Sequence, residues 1–437
     1  MASASVNPLG QSSLAKRLGW TFLLLCCYRI GVHVPIPGVD AAALAAYFKS
    51  LSGTLFDMFD MFSGGGLSNV SVFALGVMPY ISASIIMQLL QVVSPDIKRM
   101  AKEEGQAGRR KITQYTRYLT VLITLVQGLF ISIGLESMTS PDGTPIVLNA
   151  GWHFRMVTMA TFTAGSMLVM WLGEQITERG IGNGISIILF AGIVARLPVT
   201  MGQIWSYFSA AMQSPESYGK YFVFAPLFII LFLAVIWVIV FMNDSERRIP
   251  VQYAKKVVGR KVYGGQSTFL PIKVTMSGVM PVIFASAILS IPSTIRLFVG
   301  EPTGFWKGFF NAFSSTGWLY SVLYLLLIVV FAYFYMTIQY NPIEMANNLR
   351  TNNGTIPGIR PGRPTAEFIS KILSKITLIG AIFLAVVAVL PIVLGNLTGM
   401  SIQLGGTSLL IVVGVALDTT RSLDSFMTMR SHKGFLG

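Results

Sequence analysis

The chain has 437 residues, of which 53% are hydrophobic and 11% charged, and its mean hydropathy is +0.66. A soluble domain carries roughly 25% charged residues, so the composition excludes a soluble globular protein and predicts a polytopic membrane protein. The net charge of +14 matters chiefly through its placement, because basic residues orient membrane spans.

The first unusual element is a short apolar piece at 55–62. It is followed by the glycine-rich segment 63–66 and then by a long apolar run over 71–93. About 20 apolar residues are needed to span a bilayer, so the short piece is predicted to enter the membrane without crossing it. Such an element is tolerated only inside protein or beside a water-filled cavity. The pattern is typical of a channel or transporter with a movable element.

The apolar runs predict an all-α protein with ten transmembrane helices. They lie at 18–36, 71–93, 118–136, 154–173, 184–202, 221–242, 274–294, 317–338, 375–395 and 405–420. With this assignment 25 of the 32 Lys and Arg residues fall on one side, and the positive-inside rule places both termini in the cytoplasm.

The ten predicted spans divide into two halves of five, 1–202 and 221–437, joined by an external hinge loop at 203–220. An odd number of spans per half would relate the halves by an inverted pseudo-symmetry. This expectation comes from counting, since sequence similarity between the halves is not evident. Pro79, Pro281 and Pro391 lie inside predicted spans, where proline permits a kink.

Three predicted cytoplasmic loops, 95–117, 243–273 and 339–371, are rich in basic residues. In the second, short β-branched runs around Gly259 predict strands or a hairpin. In the third, the glycine and proline density of NNGTIPGIRPGRPT predicts turns. The basic residues of all three loops serve orientation, but the length of the second and third also favours a docking surface for acidic lipid, nucleic acid or protein.

Catalytic signatures are missing from the sequence. It contains no HExxH, GxSxG or P-loop motif, and we expect neither an enzyme nor a cofactor. The run at 179–184 predicts a tight turn, with Asn183 near the N-terminus of the fifth span. Ionisable residues in or near the spans fall toward predicted span ends, where snorkelling explains them: Arg29, Glu136, Arg155, Glu174, Arg196 and Asp418.

Five stretches of the chain resemble one known family. These are FALGVMPYISASIIMQLL (73–90), TERGIGNGISIILFAGI (177–193), VMPVIFASAIL (279–289), PGIRPGRPT (357–365) and GGTSLLIVVGVALD (405–418). They occur in the order seen in the SecY family, the central subunits of the bacterial protein-conducting channel, and the resemblance covers essentially the whole chain. It implies a passive channel in the bacterial cytoplasmic membrane that translocates unfolded secretory proteins and releases hydrophobic segments sideways into lipid.

The resemblance also implies roles for individual residues. A plug at 55–68 would seal the idle channel, and its residues and hinge are Phe56, Phe59, Phe62, Gly64, Gly65 and Gly66. The pore constriction would be an apolar ring of Val77, Ile81, Ile185, Leu189, Ile283 and Ile411. The members of the pairs Val77/Ile81 and Ile185/Leu189 are four residues apart, so each pair is predicted to line one helix face. A lateral gate toward lipid would contain Ser82 and Thr275.

Partners are implied by the same resemblance. They are the small membrane subunits SecE and SecG, the motor ATPase SecA, the ribosome with its RNA and proteins, a preprotein with its signal sequence, and membrane lipid. The docking residues for the motor and the ribosome would be Lys255, Lys256, Arg260, Lys261 and Arg360. For Arg360 a second interpretation remains open, in which its side chain caps carbonyls of its own loop.

The sequence disfavours two other functional classes. A secondary carrier for small solutes would need a polar or ionisable site near the membrane midplane, and the scarcity of charge in the predicted spans disfavours it. An intramembrane enzyme would need a catalytic pairing, which the sequence does not contain.

Overall fold

The computed structural model describes most of the chain. The described residues are 8–40, 43–44, 60, 63–102, 105–137, 145–213, 220–253, 256–258, 261–263, 267–276, 278–299, 308, 318–398 and 406–433.

Helices make up most of the described chain. In the first half they are α1 (Pro8–Val32), α2 (Met78–Val93), α3 (Pro95–Lys102), α4 (Gly105–Ser137), α5 (Trp152–Arg179) and α6 (Gly184–Gln213). In the second half they are α7 (Lys220–Asp244), α8 (Met280–Val299), α9 (Trp318–Gln339), α10 (Pro342–Thr351), α11 (Arg363–Thr398) and α12 (Gly406–Lys433).

Among the described residues, six helices are long and apolar enough to cross a membrane: α4, α5, α6, α7, α9 and α11. Together with the composition, they make the protein a polytopic helical membrane protein. Of the other predicted spans, α2 and the apolar part of α8 are shorter, while α1 and α12 are longer but carry more charged residues. The count of ten spans therefore stays a prediction.

Several helix boundaries differ from the predicted ones. α2 begins at Met78 rather than at 71, and α8 at Met280 rather than at 274, so Pro79 and Pro281 lie in first helical turns and kink neither helix. The first turn tolerates proline because its amide needs no intrahelical acceptor. Pro391 does lie inside α11, as predicted.

Two predicted loops contain helix. α6 continues to Gln213, so 203–213 of the predicted hinge loop is helical. The loop 95–117 consists of α3 and the first turns of α4, apart from 103–104, which lie outside the described residues. Basic side chains favour helix about as well as other long side chains, so a basic stretch does not by itself predict an irregular loop. The turn before α6 is confirmed, since the Asn183 side chain accepts the Ile185 amide at 3.1 Å.

The second and third predicted cytoplasmic loops form one small sheet. Strand β1 (Glu246–Tyr253) pairs antiparallel with β4 (Ser267–Lys273) on one side and with β5 (Gly354–Thr355) on the other. Between β1 and β4 a hairpin is made by β2 (Lys256–Val258) and β3 (Lys261–Tyr263). The predicted strands are therefore confirmed, and the turns of the third loop appear at Gly358 and Gly362, whose φ angles are 82° and 106°.

This sheet has its own hydrophobic core, which joins the two loops to the ends of α9 and α11. The buried members are Ile249, Val251, Ile272, Met276, Met336, Ile356, Ile369, Leu373 and Ile376. The loops 243–273 and 339–371, which are far apart in sequence, thus become one structural unit, because both contribute buried apolar side chains to this core.

Candidate pore and plug

The six predicted pore residues belong to one hydrophobic cluster. Five of them are buried in the largest hydrophobic cluster, and the sixth, Ile185, packs against that cluster while partly buried. The buried five are Val77 at the N-terminus of α2, Ile81 in α2, Leu189 in α6, Ile283 in α8 and Ile411 in α12. Four helices from both halves of the chain therefore contribute their predicted pore residues to the same hydrophobic cluster.

Val77 and Ile81 keep the predicted spacing although α2 begins later than expected. Val77 immediately precedes the first residue of α2 with helical dihedral angles, and its carbonyl accepts the Ile81 amide at 3.1 Å. The two side chains therefore stay one helical turn apart, on the same face.

Two of these helices begin with the same local sequence. The pattern GVMPxIxAS occurs at 76–84, at the start of α2, and again at 278–286, at the start of α8. In both copies the glycine is left-handed, with φ of 52° at Gly76 and 56° at Gly278. Ile81 and Ile283 occupy the same position in the two copies.

The other two helices also share a start. α6 and α12 both begin with GxS and carry a second glycine eight residues after the first, at 184–192 and 406–414. A Cβ on Gly184 would overlap the carbonyl oxygen of Gly173 in α5, and one on Gly406 would overlap that of Val387 in α11. Leu189 and Ile411 are again equivalent. The expectation that the halves share no evident sequence is therefore wrong at these helix starts.

The glycine segment of the predicted plug is a set of tight turns. Gly64 and Gly65 have φ angles of 69° and 96°, a conformation that costs residues with a Cβ roughly 1–2 kcal/mol. A Cβ on Gly66 would lie 3.0 Å from the Phe73 carbonyl oxygen. Glycine is thus required here for conformation and for close approach. Phe56, Phe59 and Phe62 lie outside the described residues.

Asp60 organises this segment from inside the protein. The residue is only 4% exposed, and its carboxylate pairs with Arg196 of α6 and accepts the Ser68 amide at 2.7 Å. Its carbonyl oxygen accepts the Gly65 amide at 2.8 Å and the Ser63 hydroxyl at 2.9 Å. One buried residue therefore closes the turn 60–68 and ties it to a neighbouring helix.

Helix α1 contacts the same segment from another side. Arg29 Nη1 donates to the Gly64 carbonyl at 2.8 Å, and the buried Tyr28 hydroxyl donates to the Ser63 carbonyl at 3.0 Å. These bonds satisfy carbonyl groups that the left-handed turn leaves without a backbone donor.

Snorkelling does not describe Arg29 and Arg196, whose guanidinium groups bind the segment 60–68 inside the protein. Arg196 lies near the middle of α6, and its side chain is 19% exposed and paired with Asp60. Buried charges are paired because desolvation of an unpaired charge is costly. Arg117, in the first half of α4, pairs with Glu174 near the end of α5 at 2.8 Å, and Glu136 near the end of α4 pairs with Arg155 near the start of α5 at 2.6 Å. The residues were visible in the sequence, but their partners were not.

The two predicted lateral-gate residues are not bonded to each other. Thr275 is buried, and its hydroxyl donates to Asn243 Oδ1 of α7 at 2.8 Å. Ser82 is half-buried in α2, next to Ile81. Thr275 thus fastens the segment before α8 to the end of α7, and α8 itself contacts α4.

Three of the five predicted docking residues lie within the described part of the second and third predicted loops. Lys256 and Lys261 belong to the paired strands β2 and β3, whereas Lys255 and Arg260 lie outside the described residues. Arg360 is exposed, and its guanidinium forms no hydrogen bond with the described part of the chain. Only its backbone carbonyl is used, accepting the Thr365 hydroxyl at 2.8 Å.

A comparison with family models finds one match, to SecY, over residues 71–420. The chain belongs to the SecY family. It is 43% identical to the SecY protein translocase subunit of Aquifex aeolicus, over 97% of this chain and 96% of that protein. It is 44% identical to that of Pseudomonas aeruginosa, over 100% of this chain and 96% of the relative.

Solved structures show the same SecY fold. One described as a protein conducting channel matches with a TM-score of 0.65 and 18% identity, covering 95% of this chain and 93% of that chain. Sec61 from a canine ribosome–channel complex matches with a TM-score of 0.63 and 17% identity, over the same shares. At this level of identity the likeness concerns the fold alone.

Proposed function

We propose that the chain is a passive protein-conducting channel whose constriction is the apolar ring of Val77, Ile81, Ile185, Leu189, Ile283 and Ile411. As a member of the SecY family the chain is a protein translocase subunit. The observation that carries the residue assignment is the convergence of these side chains, from the starts of four helices, in one cluster.

An aliphatic constriction suits this task for two reasons. Its side chains offer water and ions no hydrogen bond, so a narrow ring dewets when it is closed. Aliphatic walls also contact any passing side chain without requiring a matching polar group. The segment 55–68 would seal the ring as a plug while the channel is idle, with its hinge at Gly64–Gly66.

The ring sits where two related halves of five spans each would meet. The repeated starts of α2 and α8, and of α6 and α12, support halves at 1–202 and 221–437, linked through 203–220. The two copies of each helix start are five predicted spans apart, which implies that the two halves have inverted orientations in the membrane. Both termini would lie in the cytoplasm of a bacterium, and the spans in its cytoplasmic membrane.

A lateral gate would open between α2 and α4 on one side and α8 and α9 on the other. Its closed seam includes the contact between α4 and α8. Ser82 would face this seam, and Thr275 would act through Asn243 by holding the start of α8. Opening would release a hydrophobic segment of the substrate into lipid.

Energy for transport would come from partners, because the sequence contains no nucleotide-hydrolysis motif. The exposed Arg360 and the hairpin residues Lys255, Lys256, Arg260 and Lys261 would dock the SecA motor or the ribosome. One structural relative comes from a ribosome–channel complex, which supports the ribosome as a partner. SecE, SecG and lipid would complete the assembly in the membrane.

A secondary carrier for small solutes is not supported. Tyr28, Arg29 and Arg196 bind the segment 60–68, and no observation on the described residues points to a solute site. No feature of the described residues indicates an enzyme.

The pore assignment is tested by crosslinking in transit. Cysteines at Ile81 and Ile283 should crosslink to a secretory precursor stalled in the membrane. Matched cysteines at Val223 and Trp237, which are 63% and 68% exposed on α7, should react with lipid probes only. A precursor that reaches the α7 positions but neither ring position would show that the ring is not the path.

A further inference from the structure

The contact between Asp60 and α6 is an ion pair whose carboxylate is buried and whose guanidinium is partly buried. Asp60 is 4% exposed, and its partner Arg196 belongs to a helix that also carries the predicted ring residues Ile185 and Leu189. A carboxylate on one side and a guanidinium on the other make this contact selective, because each charge is poorly solvated without its partner.

Hydrogen bonds from two helices, α6 and α1, hold the segment around this ion pair. Arg196 Nη2 also donates to Ser68 Oγ at 3.0 Å, so α6 holds both ends of the turn. In addition, Arg29 of α1 donates to the Gly64 carbonyl at 2.8 Å.

The backbone of the segment lies directly on α6. A Cβ on Gly64 would come within 2.9 Å of the Gly192 Cα, and one on Gly65 within 3.1 Å of the Arg196 guanidinium. Glycine is needed at positions 64 and 65 for the ion pair to form, since a side chain at either position would separate Asp60 from Arg196.

We propose that the Asp60–Arg196 ion pair is a latch that sets the balance between the sealed and the open channel. The proposal rests on the proposed function, because the latch has a role only if 55–68 is a plug over a pore. When the segment leaves, water entering the pore solvates both charges, so the intact pair opposes opening only moderately. Replacing either residue removes this attraction from the sealed state, and Arg196→Gln also leaves the buried Asp60 carboxylate without the guanidinium, so each change disfavours the sealed state alone.

The test measures export of a secretory reporter whose signal sequence is disabled, using the complete complex in its membrane. Asp60→Asn and Arg196→Gln should each raise this export by about tenfold, which corresponds to roughly 1.4 kcal/mol. Arg196→Lys keeps the charge and should stay near the wild-type level. The double variant should export no more than either single variant, because both changes remove the same interaction.

A matched control breaks the ion pair between α4 and α5 instead. Glu136→Gln removes the partner of Arg155 without touching 60–68 and should leave reporter export unchanged. Membrane abundance of every variant is measured alongside, so that loss of protein is not read as a closed channel.

The outcomes separate the latch from the channel. If Ile81 still crosslinks to a stalled precursor but Asp60→Asn and Arg196→Gln export no more reporter than Glu136→Gln, the latch is wrong and the channel stands. If Arg196→Lys raises export as much as Arg196→Gln, charge is not the cause and the latch is again wrong. Loss of the Ile81 crosslink would overturn both proposals.

Discussion

Gly165 of α5 packs against the backbone of Val72 so closely that a Cβ on the glycine would overlap the Val72 carbonyl oxygen. Val72 belongs to the turn segment that leads from 63–66 into α2, and its amide donates to the Val34 carbonyl at 3.0 Å. The contact therefore positions the start of the predicted pore helix.

Gly165→Ala should destabilise the folded protein by about 1–3 kcal/mol, because an added methyl in a well-packed contact forces the backbone apart. Thermal unfolding of the purified complex in detergent measures the change. Gly19→Ala is the matched control, since Gly19 is also helical and has nothing within 4 Å of an added Cβ. Equal stability of the two variants would contradict the packing described here.

The strand β4 offers a test of the core that the loops 243–273 and 339–371 share. Ile272 is buried in its core, whereas Phe269, three residues earlier on the same strand, is 58% exposed. Ile272→Ala should lose about 2–4 kcal/mol of stability through the cavity it creates, and it should speed proteolysis in both 243–273 and 339–371. Phe269→Ala should leave the digestion pattern unchanged. Faster cleavage in only one of the two loops would show that they do not share a core.

Arg360→Glu tests the docking surface. Since the Arg360 side chain is exposed and forms no bond with the described part of the chain, charge reversal should leave membrane insertion and stability unchanged. It should reduce motor-driven transport at least about tenfold, as expected for reversal of a charge at an interface. Arg363→Glu, three residues away and 91% exposed, should transport normally. Normal transport by Arg360→Glu would exclude the docking role.

The bond between Thr275 and Asn243 predicts which variants behave alike. Thr275→Val leaves Asn243 Oδ1 without this donor at a cost of about 1 kcal/mol, and it should ease export of a precursor with a weakened signal sequence. Asn243→Ala should have the same effect, while Thr337→Val, which alters a hydroxyl bonded within its own helix, should have none. If Ser82→Ala instead reproduces Thr275→Val, a direct contact across the gate is the better explanation.

The late starts of α2 and α8 are encoded in the local sequence, although the apolar runs around them begin earlier. The glycine–proline spacing at 76–79 and 278–281 marks a left-handed turn followed by a first helical turn. Hydrophobicity continues through the turn, so a search for apolar runs starts both helices too early. Sequence similarity between the two halves is visible at these repeated helix starts and is not evident elsewhere along the chain.

By itself, the sequence determined that this is a polytopic helical membrane protein, where most of its helices lie, and that the loops 243–273 and 339–371 contain strands and turns. These properties depend on apolar length, proline, glycine and charge within a few tens of residues, so they are readable locally. Only the tertiary structure decided that Asp60 meets Arg196, that Arg29 binds Gly64, and that two distant loops share one core. These contacts join residues far apart in the chain, and burial decides that a charge needs a partner without specifying in the sequence which residue that partner is.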